Sequence, residues 1–255
     1  ENGKWNYGFK VLRDVHPYGV LPMTEVIVKS SNIGTVKMAL KMGSQKFQNY
    51  VKGFGFGTWT GIDLAGEAPG FTRPPSQWSK TSPYNIPMGQ EVMVTAIQMV
   101  TAVSVVANGG YLVKPYVISK VQDPSGVTLK EKKPLIKRRV IKPETAAMMR
   151  EILTQVVERG TGTKAKIPDV LVGGKTGTGQ KILPNGKGYS HDAFMSSFIG
   201  FAPADNPRYA MVVVLDEARP LYYGGTVAAP VFKEVMEAVL LTQSSQPHNE
   251  ITSPI

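Results

Sequence analysis

The run Tyr209-Ala210-Met211-Val212-Val213-Val214-Leu215 contains no charged or strongly polar residue, and this constrains the fold more than any other feature of the chain. A strand buried on one face alternates apolar with polar residues; a strand without alternation has both faces covered by other elements. The run therefore predicts a strand in the middle of a sheet. Two further extended segments, Val172 to Lys181 and Phe194 to Phe201, precede it. Pro184-Asn185-Gly186 and Asp205-Asn206-Pro207 supply turns between the three, so together they predict an antiparallel meander.

Helical spacing dominates the rest. Met23 to Lys29 and then Ile33, Val36, Lys37 and Leu40 predict two short helices, separated by the polar break Ser30-Ser31-Asn32. A third, about Gln45 to Lys52, leads into Gly53-Phe54-Gly55-Phe56-Gly57 and an irregular stretch to about Pro87. Val92 to Ala107 is apolar nearly all round, predicting a central helix that Asn108-Gly109-Gly110 ends. Asp123-Pro124-Ser125-Gly126 marks a small hairpin, Tyr116 to Val121 with Val127 to Lys130. Glu144 to Glu158 is amphipathic, and Ala229 to Leu241 forms a last helix with Pro230 in its first turn. Before Met23 there is no helix or strand punctuation, and residues 242–255 are predicted to be a disordered tail. Helices followed by strands and a closing helix give an α+β domain, with an antiparallel sheet packed between helices over residues 1–241.

Composition narrows the function classes. The net charge of +10 admits an anionic partner, but its densest basic run, Lys130 to Lys142, has no interleaved aromatics for stacking bases and reads as a solvated loop and strand edge. Nucleic acid is not the expected partner. His16, His191 and His248 are isolated and there is no cysteine, so no metal site is expected. Gly174-Lys175-Thr176 ends like a phosphate-cradling loop, yet Asp169 stands where that loop needs glycine, and no cofactor is implied. No run of eighteen apolar residues occurs, so no membrane span or export leader is expected within the chain.

Two short motifs carry chemistry. Lys175-Thr176-Gly177-Thr178 puts a cation, two hydroxyls and a glycine on an extended strand, which suits a carboxylate-ended peptide lying along the strand edge. Alone it is equally an exposed edge strand. In Ser30-Ser31-Asn32 a hydroxyl and an amide two residues apart on a tight turn suit proton transfer and a grip on a carbonyl; alone they are equally helix caps.

In this order, about 145 residues apart, the pair resembles the Ser-x-Asn and Lys-Thr-Gly elements of the penicillin-recognising serine enzymes. Val94-Thr95-Ala96-Ile97-Gln98, Ala107-Asn108-Gly109-Gly110, Gly160-Thr161-Gly162-Thr163, Phe198-Ile199-Gly200-Phe201-Ala202-Pro203 and Tyr222-Tyr223-Gly224-Gly225 look like the transpeptidase domain of class B penicillin-binding proteins. The likeness runs over about residues 15 to 241. It implies a penicillin-binding/serine β-lactamase-like fold and a peptidoglycan D,D-transpeptidase that binds β-lactams. By the same likeness Ser30 relays a proton, Asn32 orients the acyl-side peptide, Lys175 stabilises negative charge, and Thr176 and Thr178 hold the terminal carboxylate. The Thr178 N–H joins an oxyanion hole beside Gly177, and Tyr222 and Tyr223 form an aromatic rim.

The likeness also has gaps. The family's nucleophile is the serine of a Ser-x-x-Lys turn upstream of Ser-x-Asn. This chain has no Ser-x-x-Lys; Thr161-Gly162-Thr163-Lys164 has the spacing in the wrong place. The expectation is an incomplete domain, inactive alone, whose N-terminal strands and nucleophile helix lie in the remaining N-terminal part of the same protein. Glu91 in Met88-Gly89-Gln90-Glu91 replaces a usual second glycine. The expected partners are stem peptides, β-lactams and other cell-wall synthesis proteins. The expected location is the extracytoplasmic side of the bacterial membrane, held by an anchor outside this chain. An inactive penicillin-binding-like scaffold and a serine β-lactamase are the alternatives.

Overall fold

A computed structural model describes residues 2–8, 10–186 and 188–244. The first elements are a three-residue hairpin, β1 (Lys4–Asn6) with β2 (Val11–Arg13), pairing Trp5 with Leu12. Sequence punctuation gave no sign of it, because strands this short show no period. Three helices follow, α1 (Met23–Val28), α2 (Asn32–Met42) and α3 (Ser44–Gly53). The stretch expected to be irregular contains one short helix, α4 (Ser82–Asn85), between 3-10 turns at Pro75–Gln77 and Ile86–Met88.

Helix α5 (Ala96–Ala107) starts four residues later than its apolar run. Thr95 caps it: its hydroxyl accepts from the Gln98 N–H while the Gln98 side chain accepts from the Thr95 N–H. After it come β3 (Tyr111–Lys114), the hairpin β4 (Lys120–Gln122) with β5 (Thr128–Glu131), and β6 (Leu135–Arg139). Strand β6 carries the basic run and pairs with β3. Helix α6 (Pro143–Arg159) leads to the meander β7 (Gly173–Ile182), β8 (Tyr189–Ala202) and β9 (Tyr209–Asp216), and α7 (Gly224–Ser244) closes the fold. Helix α7 starts five residues before its predicted start, which leaves Pro230 inside it rather than in its first turn. At its other end it takes in residues 242–244, expected to be tail; the rest of that predicted tail lies outside the described residues.

The sheet order is β7-β8-β9, all antiparallel. Phe198 and Phe201 on β8 point to opposite faces, and each anchors a core. Phe198 packs edge-on against Phe232 of α7, ring centroids 4.8 Å apart, with Ala228, Ala229 and Met236 around it. Phe201 packs with Val103 and Val106 of α5, Val28 of α1, and Leu153 and Val156 of α6. Burial of such rings contributes about 1.5–3 kcal/mol each, so the two cores hold the sheet between helix layers. The apolar run on β9 has the same cause: Tyr209, Met211, Val213 and Leu215 pack toward the α7 core and Ala210 toward the α5 core. Its predicted mid-sheet place relied on a second neighbour among the N-terminal strands expected outside this chain. Among the described strands β9 pairs only with β8, so it is the sheet's edge, and Val214 is 42% exposed there. Periodicity reports covered faces and is silent about paired edges.

Candidate active site

The site forms where the α1–α2 turn meets β7. Ser30 follows the end of α1 with φ 55°, a left-handed conformation that costs a non-glycine residue roughly 1–2 kcal/mol. Backbone bonds close the turn, Ser30 N–H to Ile27 O at 3.2 Å and Ser31 N–H to Val26 O at 2.9 Å. Ser31 caps α2, its Oγ accepting from the Gly34 N–H at 2.9 Å. Asp14, from the segment after β2, clamps that cap from outside. Its carboxylate accepts from Ser31 Oγ (2.7 Å) and from the Ile33 N–H (3.0 Å). The capping and functional readings of Ser30-Ser31-Asn32 therefore apply to different residues. Ser31 is the cap, and Ser30 is turned away from it.

Ser30 is turned toward Lys175. The Lys175 ammonium donates to Ser30 Oγ at 2.8 Å and to Thr176 O at 3.1 Å. Burial pushes its pKa down to about 8, so it loses its proton far more readily than an ordinary lysine, although the charged form still dominates at neutral pH. The preceding glycines explain how β7 reaches this position: a Cβ on Gly173 would run into the Phe201 ring, and one on Gly174 into the Phe198 ring. Side chains from both cores thus lie across the strand just before Lys175.

Downstream, the two threonines are tied to different neighbours. Thr176 Oγ1 shares a 2.8 Å hydrogen bond with Thr161 Oγ1, from the loop after α6. Thr178 Oγ1 accepts from the Gly224 N–H at 3.1 Å, which leaves its own proton free to be donated. Gly177 lies over Ser197 Oγ, and Gly224 lies so close to the Gly177 carbonyl that neither position has room for a Cβ. The Tyr222-Tyr223 loop is fastened beside them by the Ser196 hydroxyl, which donates to Tyr222 O. Tyr222 stacks on Phe194 with centroids 4.1 Å apart, and Tyr223 lies against Tyr222, 49% exposed.

Ser30, Lys175 and Thr176 are thus brought together, with Gly177, Thr178 and the tyrosines continuing along β7. Asn32 is not joined to them by a hydrogen bond: its side-chain amide donates to Arg13 O at 3.1 Å. Sequence reasoning missed Asp14, which has no spacing signal, and gave Thr161 no role although its Gly-Thr-Gly-Thr phrase stood out. At Glu91 the backbone keeps the left-handed conformation of a glycine, φ 59°. The carboxylate there accepts from Ser82 Oγ (2.6 Å) and Asn85 Nδ2 (2.7 Å), and its N–H donates to the Tyr189 hydroxyl (2.8 Å), tying this loop to β8.

The family model for the penicillin binding protein transpeptidase domain matches residues 2–237. The chain belongs to that family. It is 37% identical, over 99% of its length, to penicillin-binding protein PbpB of Mycolicibacterium smegmatis and covers 40% of that protein. Stage V sporulation protein D of Bacillus subtilis is 41% identical over 86% of the chain, which covers 34% of it. The probable peptidoglycan D,D-transpeptidase PenA of Neisseria flavescens is 33% identical over 92% of the chain, which covers 56% of it. The chain thus spans between about a third and a little over half the length of these relatives. Among solved structures, penicillin-binding protein 3 of Mycobacterium tuberculosis complexed with aztreonam has a TM-score of 0.86 at 31% identity, covering 99% of this chain and 59% of that one. The transpeptidase domain of Burkholderia pseudomallei penicillin-binding protein 3 gives 0.84 at 30% identity, covering 99% and 72%. These are class B penicillin-binding protein likenesses, and the α+β fold with its antiparallel sheet is theirs.

Proposed function

We propose that the chain supplies two walls of a serine acyl-transfer site in a peptidoglycan D,D-transpeptidase, the attacking serine coming from sequence outside these 255 residues. One observation carries this reading: Lys175, with its pKa brought down to about 8, donates to Ser30 Oγ at 2.8 Å. A hydroxyl in contact with an amine that gives up its proton more readily than an ordinary lysine forms a proton relay.

In the first step the serine Oγ attacks the carbonyl carbon of the penultimate D-alanine of a stem peptide. Its proton passes through the Ser30 and lysine relay to the nitrogen of the departing terminal D-alanine, leaving an ester. An amine from a neighbouring stem then attacks the ester, forms the cross-link and returns the proton to the serine. Lys175 offsets the negative charge of the tetrahedral intermediates, and the Thr178 N–H is one donor to their oxyanion, a contact worth about 10²–10³ in rate. Thr176 and Thr178 hold the substrate's terminal carboxylate, with Gly177 giving the peptide backbone close access along β7. Asn32 orients the acyl-side amide, exchanging its bond to Arg13 O for the substrate. Tyr222 and Tyr223 border the bound peptide. β-Lactams acylate the same serine. No cofactor takes part, and the reaction takes place on the extracytoplasmic side of the membrane, with the anchor in sequence outside this chain.

The test is D-alanine release from a stem pentapeptide by the full-length protein. Ser30→Ala and Lys175→Ala should each lower kcat/KM by about 10²–10⁴. Rates within twofold of the unmodified protein for both variants would remove the relay; no release by the unmodified protein would support a non-catalytic scaffold instead.

A further inference from the structure

The loop after α3, the start of α5 and the β3–β6 ribbon enclose a second cleft of about 500 Å³. Lys52, Trp59, Lys137 and Arg138 line it, and no acidic residue is among its described lining. The Lys137 ammonium donates to the Thr60 and Trp59 carbonyls (2.9 and 3.4 Å), and Arg138 to those of Gly53 and Lys52 (2.9 and 3.0 Å). Carbonyl dipoles hold these cations in place without cancelling their charge. Burial and repulsion from Arg138 and Lys114 hold the Lys137 pKa below its ordinary value, with only Glu67 opposing. The Glu67 carboxylate is already engaged by the N–H and hydroxyl of Thr60 and the Gly61 N–H. Lys52, Lys137 and Arg138 thus line the cleft with Glu67 as the one carboxylate acting on Lys137, which leaves the cations in excess.

The indole of Trp59 stands at the rim, 57% exposed, above a closed floor in which Leu112 is 3% exposed. The floor amide of Gln98 is spent on the Thr58 and Pro69 carbonyls, both at 2.8 Å. A flat exposed ring beside cations suits a sugar: C–H faces lie on the ring and polar edges meet the donors.

We propose that this cleft binds an anionic saccharide, its acidic group on Lys137 and Arg138 and its ring on Trp59. Taking that saccharide to be the carboxylate-bearing sugar of the glycan strand rests on the transpeptidase reading above; the charge and ring chemistry do not. The cleft would then hold a stretch of glycan whose lactyl carboxylates carry no peptide, while the Ser30 and Lys175 site works on stem peptides borne by other sugars.

Calorimetric titration of the full-length protein tests this, with three probes: the N-acetylglucosamine–N-acetylmuramic acid disaccharide with a free lactyl carboxylate, uncharged chitobiose, and hexaglutamate. Fluorescent-penicillin labelling is read on the same preparations. The carboxylated disaccharide should bind roughly tenfold more tightly than chitobiose, and Trp59→Ala and Lys137→Gln should each weaken it by roughly tenfold with labelling unchanged. Equal binding of chitobiose, or no binding of the carboxylated disaccharide, would overturn the proposal. Tighter binding of hexaglutamate, indifferent to Trp59→Ala, would overturn it in favour of an acidic peptide. Failure of the unmodified protein to take the penicillin label would count against the transpeptidase reading alone, because the titration reads the cleft separately.

Discussion

Ser30 meets Lys175 because its backbone is held left-handed, and the Asp14 clamp on Ser31 and Ile33 helps hold it there. Asp14→Ala leaves two donors of the turn without their acceptor, so it should cost about 1–3 kcal/mol in thermal unfolding. It should also slow penicillin acylation of the full-length protein. Asp14→Asn, which keeps one carbonyl acceptor, should recover part of both; an Asp14→Ala protein with unchanged melting and acylation would mean the turn holds itself. Lys175 gives a pH prediction. Its pKa is about 8 in the folded protein, against 10.5 for an ordinary lysine, so between these values the unfolded chain binds more protons and stability rises with pH. Lys175→Met should therefore be more stable than the unmodified protein at pH 7, with the advantage shrinking toward pH 10.5. Chemical denaturation across that range checks it, and a difference that does not change with pH contradicts it. The meeting of Ser30 and Lys175 was legible in the sequence because each stands in a motif that marked itself by its hydroxyl or its cation. Asp14 was not, because any acceptor brought near Ser31 by the fold could do its work, and nothing in local spacing marks the one that does.

At the scale of elements, the tight point is the start of α7 against β7. A Cβ on Gly224 would press on the carbonyls of Gly177 and Ser197, while the Gly224 N–H holds the Thr178 hydroxyl. Gly224→Ala should destabilise the fold by about 1–3 kcal/mol through overpacking. It should also push α7 off β7, seen as faster amide exchange at residues 177–179. Unchanged exchange there would show that the contact yields without cost. This crowding also accounts for the misread start of α7: the helix begins at the Gly-Gly pair because only glycine fits beneath β7, whereas the sequence signal for a start was Pro230. Strands β7 and β9 were predicted to within a residue because each is long enough to show its pattern and is bounded by turn residues, whereas β8 starts at Tyr189, five residues before its predicted start at Phe194. Strands β1 and β2 are too short for that. The early start predicted for α5 arose because Val92 to Val94 share its apolar character, yet the Thr95 capping box starts the helix later.

At the scale of the whole molecule, the sheet has a helix layer on each face, and β9 pairs only with β8 among the described strands. An apolar strand at an unpaired edge is a site for strand addition. On the proposed function, that edge and the third wall of the cleft are completed by sequence outside this chain, which spans only part of the relatives it matches. Sequence alone could carry the fold class, because two opposed cores on one strand leave a strong apolar signature. The most direct test is fluorescent-penicillin labelling of this 255-residue chain beside the full-length protein, with the labelled peptide mapped by mass spectrometry. The full-length protein should be labelled at a serine outside residues 1–255, and the chain alone should take no stable label. Stable labelling of a serine within the chain would contradict the proposed function.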